Sequence, residues 1–117
     1  MKRLYLATIN SWNGLRAAAR SDAAIREELI IIFLSIPAAY FIGITPARAV
    51  GLVLVLMLLL AVELLNTSIE KLADRLTLEH DEQIGRVKDM GSAAVGVALL
   101  IAGFFWIFAI VERLGIV

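Results

Sequence analysis

The sequence predicts an all-α membrane protein, with three transmembrane helices and an N-terminal amphipathic helix lying on the membrane surface. Of its 117 residues, 61% are hydrophobic, too many for an ordinary soluble domain of this length. The excess is concentrated in three runs, 29–44, 49–65 and 91–111. None shows the alternation of a barrel strand, and inside lipid only helices or closed barrels satisfy every backbone group. A helix needs about 20 residues to cross roughly 30 Å of hydrocarbon, which each run reaches with its flanks. The chain reads as one domain, 1–117, without internal repeat, low-complexity segment or linker.

Residues 1–20 form the surface helix. Tyr5, Ile9, Trp12, Leu15 and Ala19 share one face, while Lys2, Asn10, Asn13 and Arg20 share another. The segment is not a cleavable signal peptide, because Arg16 and Arg20 stand where its apolar centre would be. Arg20-Ser21-Asp22 is a turn, with Ser21 or Asp22 capping the first membrane helix, 22–44. Pro37 kinks that helix. Gly43-Ile44-Thr45-Pro46 makes a short turn into the second helix, 47–75, which outlasts its apolar run because its polar residues keep helical spacing. Residues 77–81 connect it to the third helix, 82–112, where Gly91, Ser92, Ala93, Ala94 and Gly96 permit close helix contact.

Basic residues set the topology. Lys2, Arg3, Arg16, Arg20 and Arg26 precede the first span, and Lys71, Arg75, Arg86 and Lys88 lie between the second and third. Only Arg48 and Arg113 remain for the other side, so the N-terminus and second loop are cytoplasmic and the C-terminus lies outside. A net charge of zero gives no reason to expect a nucleic-acid partner, and the lack of cysteine excludes disulfides and thiolate metal sites.

The chemistry gathers on the cytoplasmic side. Fourteen uncharged residues, 49–62, run without a turn signal into Glu63. Glu63, Asn66, Thr67, Glu70 and Asp74 then fall on one helical face, roughly 60° either side of Glu63 at about 100° per residue. A carboxylate held in or near lipid is costly and marks a functional site. Poorly hydrated, Glu63 is suited to take a proton from a hydroxyl buried in the membrane. Lys88 and Asp89 stand where the third helix enters the bilayer, and Asp22, Glu27 and Glu28 where the first does. Carboxylates from separate helices suit Mg²⁺, which also binds substrate phosphates, and Lys88 supplies the opposite charge. The set points to phosphoryl transfer to a lipid alcohol, although no Walker loop, kinase Gly-rich loop or H-R-D motif is present.

In Glu63-Leu64-Leu65-Asn66-Thr67-Ser68-Ile69-Glu70 and Lys88-Asp89-Met90-Gly91-Ser92-Ala93-Ala94 the chain resembles the small integral-membrane diacylglycerol kinases of bacteria. Ser11-Trp12-Asn13-Gly14-Leu15-Arg16-Ala17 and Asp74-Arg75 add to the resemblance, which extends over nearly the whole length. It implies a homotrimer in the inner membrane that moves the γ-phosphate of MgATP onto diacylglycerol, giving phosphatidic acid. By the same resemblance Glu63 is the catalytic base, Asn66 helps position it, and Glu70 binds Mg²⁺. Lys88 and Asp89 contact ATP, Asp74 supports the site, and Ser92 lies by the lipid. Arg3, Asn10 and Asp22 fall at nucleotide positions, with Asp22 a second metal ligand. Trp12 and Glu28 are further candidates for lipid contact, and Glu79, His80 and Asp81 for the adenosine.

Two departures stand out: the family usually has Glu at the position of Asp22, and Glu79-His80-Asp81 replaces the Glu-Tyr-His of close relatives. Plainer roles compete as well. Glu70 and Asp74 have Lys71 or Arg75 as possible ion-pair partners, Glu28 has Arg26, Asp22 can be only a cap, and Trp12 can be only an interfacial anchor. Two rival functions share the layout. One is an undecaprenol kinase, from which the Lys88-Asp89-Met90-Gly91-Ser92 wording departs. The other is a small proton-coupled transporter, which would want its acid near the bilayer midplane rather than within a turn of the span's end. A site shared between subunits is expected, because one chain has too few helices to enclose both a nucleotide and a lipid.

Overall fold

The computed structural model describes residues 1–116, and these form four helices and no strand: α1 (Lys2–Ser21), α2 (Ala23–Ile42), α3 (Pro46–Leu76) and α4 (Glu82–Arg113). Local chemistry sets each boundary. Asp22 is the single extended residue between α1 and α2; its N–H closes α1 on the Ala18 carbonyl at 2.9 Å. Its carboxylate accepts the Ala24 N–H at 2.9 Å, so Asp22 rather than Ser21 is the cap. Thr45 caps α3 by accepting the Arg48 N–H at 3.1 Å, with Pro46 opening the helix where a missing N–H costs nothing. Asp81 caps α4 through the N–H groups of Gln83 and Ile84, at 2.9 and 3.0 Å. In the α2–α3 turn, a Cβ on Gly43 would lie 2.7 Å from the Ala49 nitrogen, so the chain reverses tightly only because that atom is missing.

The short connections make α2, α3 and α4 antiparallel neighbours in sequence, with α3 between the other two. Alanines on α2 and α4 meet leucines on α3: Ala39 and Ala109 pack on Leu52, and Ala98 and Ala102 on Leu56 and Leu59. These small side chains bring the helix axes close, which is how helices associate when lipid removes the hydrophobic drive. On α1 only Ala18 is buried, so α1 is held by its last turns while Tyr5 and Trp12 stay exposed.

Two helices, α3 and α4, are long and apolar enough to cross a membrane. Only 17% of the most apolar stretch of either is buried inside the chain. The core helix of a soluble protein would be mostly covered, so these surfaces are left for lipid or for other copies. α2 has 20 residues, and any 18 consecutive ones include Arg26, Glu27 and Glu28, which keeps it outside the same criterion.

Candidate active site

Past its apolar run, α3 carries Glu63, Asn66, Thr67, Glu70 and Asp74, whose three- and four-residue steps keep them on one face. The joint between α1 and α2 lies on one side of this row and the first turns of α4 on the other. Asn66 donates its Nδ2 to Glu70 Oε1 at 3.1 Å. Its Oδ1 is buried without a hydrogen-bond partner and faces Gly91 of α4, where any Cβ would run into it. Thr67, buried at 6% exposure, donates its hydroxyl to Asp22 Oδ2 at 2.8 Å. One turn on, Lys71 Nζ donates to Ser21 Oγ. Lys88 Nζ bonds Asp74 Oδ1 at 2.6 Å, joining α4 to the end of the row.

Several plain pairings expected from the sequence do not form. Asp74 takes Lys88 instead of Lys71 or Arg75, and Glu70 takes Asn66. Arg26 donates to the carbonyls of Ala19 and Arg20 at 2.8 and 3.1 Å, not to Glu28. The reason is geometric: residues two apart on a helix point to different faces. Glu28 is instead buried at 8% exposure, with Oε1 unpartnered.

Charge accumulates here without compensation. Coulombic repulsion acts between Glu63 and each of Asp22, Glu70 and Glu28. Among the described residues, none of these four carboxylates has a lysine or arginine at ion-pair distance. Nor do any three acidic or histidine side chains converge closely enough to hold a metal by themselves. A cation here would need ligands from outside the chain, as magnesium does when it shares one or two carboxylates with substrate phosphates and water.

The α3–α4 loop frames a hollow of about 320 Å³, bordered by Asp74, Glu79, His80, Asp81 and Lys88. That volume is at the small end of ligand sites. Asp81 already spends Oδ1 on the α4 cap. Asp89 and Ser92 are exposed on α4, beside Lys88 and Gly91. Arg3, Asn10 and Trp12 are exposed on α1, and none forms a side-chain hydrogen bond or ion pair with the carboxylates. Arg3 lies 19 residues before Asp22, about 28 Å along a helix. Sequence reasoning passed over two residues as parts of the site, Thr67 and Gly91. The first stood in the polar stripe and the second among the small residues, and those were their only signals.

The family model for prokaryotic diacylglycerol kinase matches residues 9–110. The diacylglycerol kinase of Escherichia coli (strain K12) is 38% identical over 113 residues, covering 97% of this chain and 93% of the relative. That of Haemophilus influenzae is 36% identical over 106 residues, 91% of this chain and 90% of the relative. That of Pseudomonas aeruginosa is 38% identical over 106 residues, 91% and 86% of the two chains. The residues that form the carboxylate row and its α4 neighbours lie inside the matched region, and the chain belongs to the prokaryotic diacylglycerol kinase family.

Proposed function

We propose that the protein is an ATP-dependent diacylglycerol kinase of the bacterial inner membrane, transferring the γ-phosphate of MgATP to the free hydroxyl of diacylglycerol. Family membership supports the activity. The observation that carries the site is the group of carboxylates without cationic partners, Asp22, Glu28, Glu63 and Glu70, at the end of an apolar run whose helix continues to the Asp74–Lys88 pair. The hydroxyl oxygen attacks the γ-phosphorus, a new P–O bond forms, and the bond to the β,γ-bridging oxygen breaks to release ADP. The hydroxyl proton passes to the Glu63 carboxylate, and the product is phosphatidic acid. Glu63 sits where the apolar run ends, so a lipid can present its headgroup there while its chains stay in hydrocarbon. Asn66 ties Glu70 to the same face. Lys88, oriented by Asp74, meets the phosphates, with Asp89 beside it. Ser92, Glu28 and Trp12 contact the lipid. Arg3, Asn10, Glu79 and His80 contact the nucleotide, and Asp81 frames their loop.

The unpartnered Glu28 oxygen and the mutually repelling acids form a hard, anionic donor set that suits magnesium. Asp22 and Glu70 would hold the ion, whose chemistry when bound is to neutralise charge on the triphosphate. Positioning and charge compensation are the main demands of phosphoryl transfer, and they are what these residues offer.

The run 29–44 makes α2 the third span, with Arg26, Glu27 and Glu28 confined to its first two turns near the headgroups. The N-terminus and the α3–α4 loop are cytoplasmic. Three copies associate through the faces that α3 and α4 leave uncovered, and a neighbour's surface helix supplies the Arg3 and Asn10 contacts that one chain does not. Purified protein in detergent, given MgATP and a short-chain diacylglycerol, should release ADP and form phosphatidic acid. Glu63→Gln should assemble normally and lose turnover; near-normal activity in that variant would remove Glu63 as the base.

A further inference from the structure

We infer that Thr67 is a positioning residue for the reaction: its buried hydroxyl fixes the Asp22 carboxylate and, with Lys71 one turn on, fastens the surface helix to the helix carrying Glu63. The inference rests on the metal role proposed for Asp22. Hydroxyls within helices ordinarily bond back to a carbonyl three or four residues earlier. Thr8, Ser21 and Ser35 do so here, and so does Ser68, whose Oγ donates to the Leu64 carbonyl at 2.9 Å. Thr67, the residue before Ser68, instead projects its hydroxyl to Asp22 Oδ2 at 2.8 Å, and Thr67 itself is buried, so losing that partner leaves a polar group poorly placed to find another.

Asp22 has no slack. It is the one residue between two helices, and Oδ1 already accepts the Ala24 N–H. With Oδ2 on Thr67, both oxygens are oriented from opposite sides. An ionised carboxylate offers about four lone-pair sites, so two remain free for a cation. The neighbouring bond from Lys71 to Ser21 holds the preceding residue to the same face of α3. Adjacent residues at the joint thus meet residues four apart on α3, which fixes the joint in direction as well as in distance.

The test uses the full-length protein in detergent with Mn²⁺ as the spectroscopic probe, read by electron paramagnetic resonance in the presence of a non-hydrolysable ATP analogue. Thr67→Val should weaken Mn²⁺ binding roughly 10- to 100-fold, the range for losing a partner that orients a ligand, while Thr67→Ser stays within about twofold of the parent. Should the valine variant fail to assemble, Thr67→Ala provides the same readout without added bulk. A Thr67→Val protein with a lowered thermal midpoint but parental Mn²⁺ affinity would make the bond a structural tie and overturn the inference. Asp22→Asn separates the two levels. Loss of Mn²⁺ binding there, with none in Thr67→Val, removes the inference and leaves the site. Parental binding in Asp22→Asn removes the metal role of Asp22, and the inference falls with it.

Discussion

The two ends of the bundle dispose of polar side chains in opposite ways. At the end holding the α2–α3 turn, Arg48 and Glu112 form a two-bond ion pair at 2.9 and 3.1 Å, with the Arg48 guanidinium 5.4 Å from the centre of the Phe108 ring. Trp106 Nε1 donates to the Leu52 carbonyl at 3.1 Å, and Thr45 caps α3. Among the described residues, no buried side-chain polar atom at that end lacks a partner inside the chain. At the other end, Glu28 Oε1 and Asn66 Oδ1 are buried without partners, and four carboxylates lack a cation among the described residues. Unpaired buried polar groups cost stability and persist where a ligand is to complete them. One end is therefore a structural fastening, and the other is the end proposed above to take nucleotide, metal and lipid.

The largest expected effect tests that contrast directly. Glu63→Gln should lower turnover by about 10²- to 10⁴-fold, as for loss of a general base. Its thermal midpoint should hold or rise, because the substitution relieves repulsion with Asp22, Glu70 and Glu28. A drop in midpoint together with activity would mean that the acid supports the fold. Gly91→Ala comes next. The added methyl pushes Asn66 off its place beside Glu70, and a displacement near 1 Å in a reacting group costs about 10²-fold. ADP release per folded protein measures it, and more than half the parental rate would reduce Gly91 to packing.

What the sequence made legible follows the range of each interaction. The sequence reading puts helix starts at residues 22, 47 and 82; the structure starts them at Ala23, Pro46 and Glu82, where Asp22, Thr45 and Asp81 act on N–H groups two or three residues away. The polar row keeps helical spacing beyond the apolar run, which carries the expected helix to residue 75; α3 ends at Leu76. Partners were not legible in this way. Asp74 had Lys71 and Arg75 nearby in sequence but bonds Lys88, 14 residues on, because only the packing of α4 on α3 decides which cation arrives. Thr67 is the sharper case: the polar stripe gives its face, but a hydroxyl in a helix has a local carbonyl available, and the sequence does not say that Thr67 passes over this option while Ser68 uses it. The burial of Glu28 likewise depends on how the helices pack around it and not on its neighbours in sequence.

The turn end should respond in stability and leave chemistry alone. Gly43→Ala places a methyl against the Ala49 nitrogen and Cα, at 2.7 and 2.9 Å, where backbone rather than a flexible side chain must yield. A cost of about 1–3 kcal/mol is expected, read as a lower thermal midpoint with turnover per folded protein preserved. Arg48→Met is the mildest and the most telling. The Glu112 side chain, 13% exposed, loses its partner, but Arg48 is itself substantially open to solvent, so water can take over part of its role. The midpoint should fall by a few degrees and the rate should not change. If Arg48→Met slowed ADP release as much as Gly91→Ala, the ion pair would be setting the tilt of α4 and hence the position of Lys88. The two ends would then be one mechanical unit, and the division between a fastened end and a poised one would no longer hold.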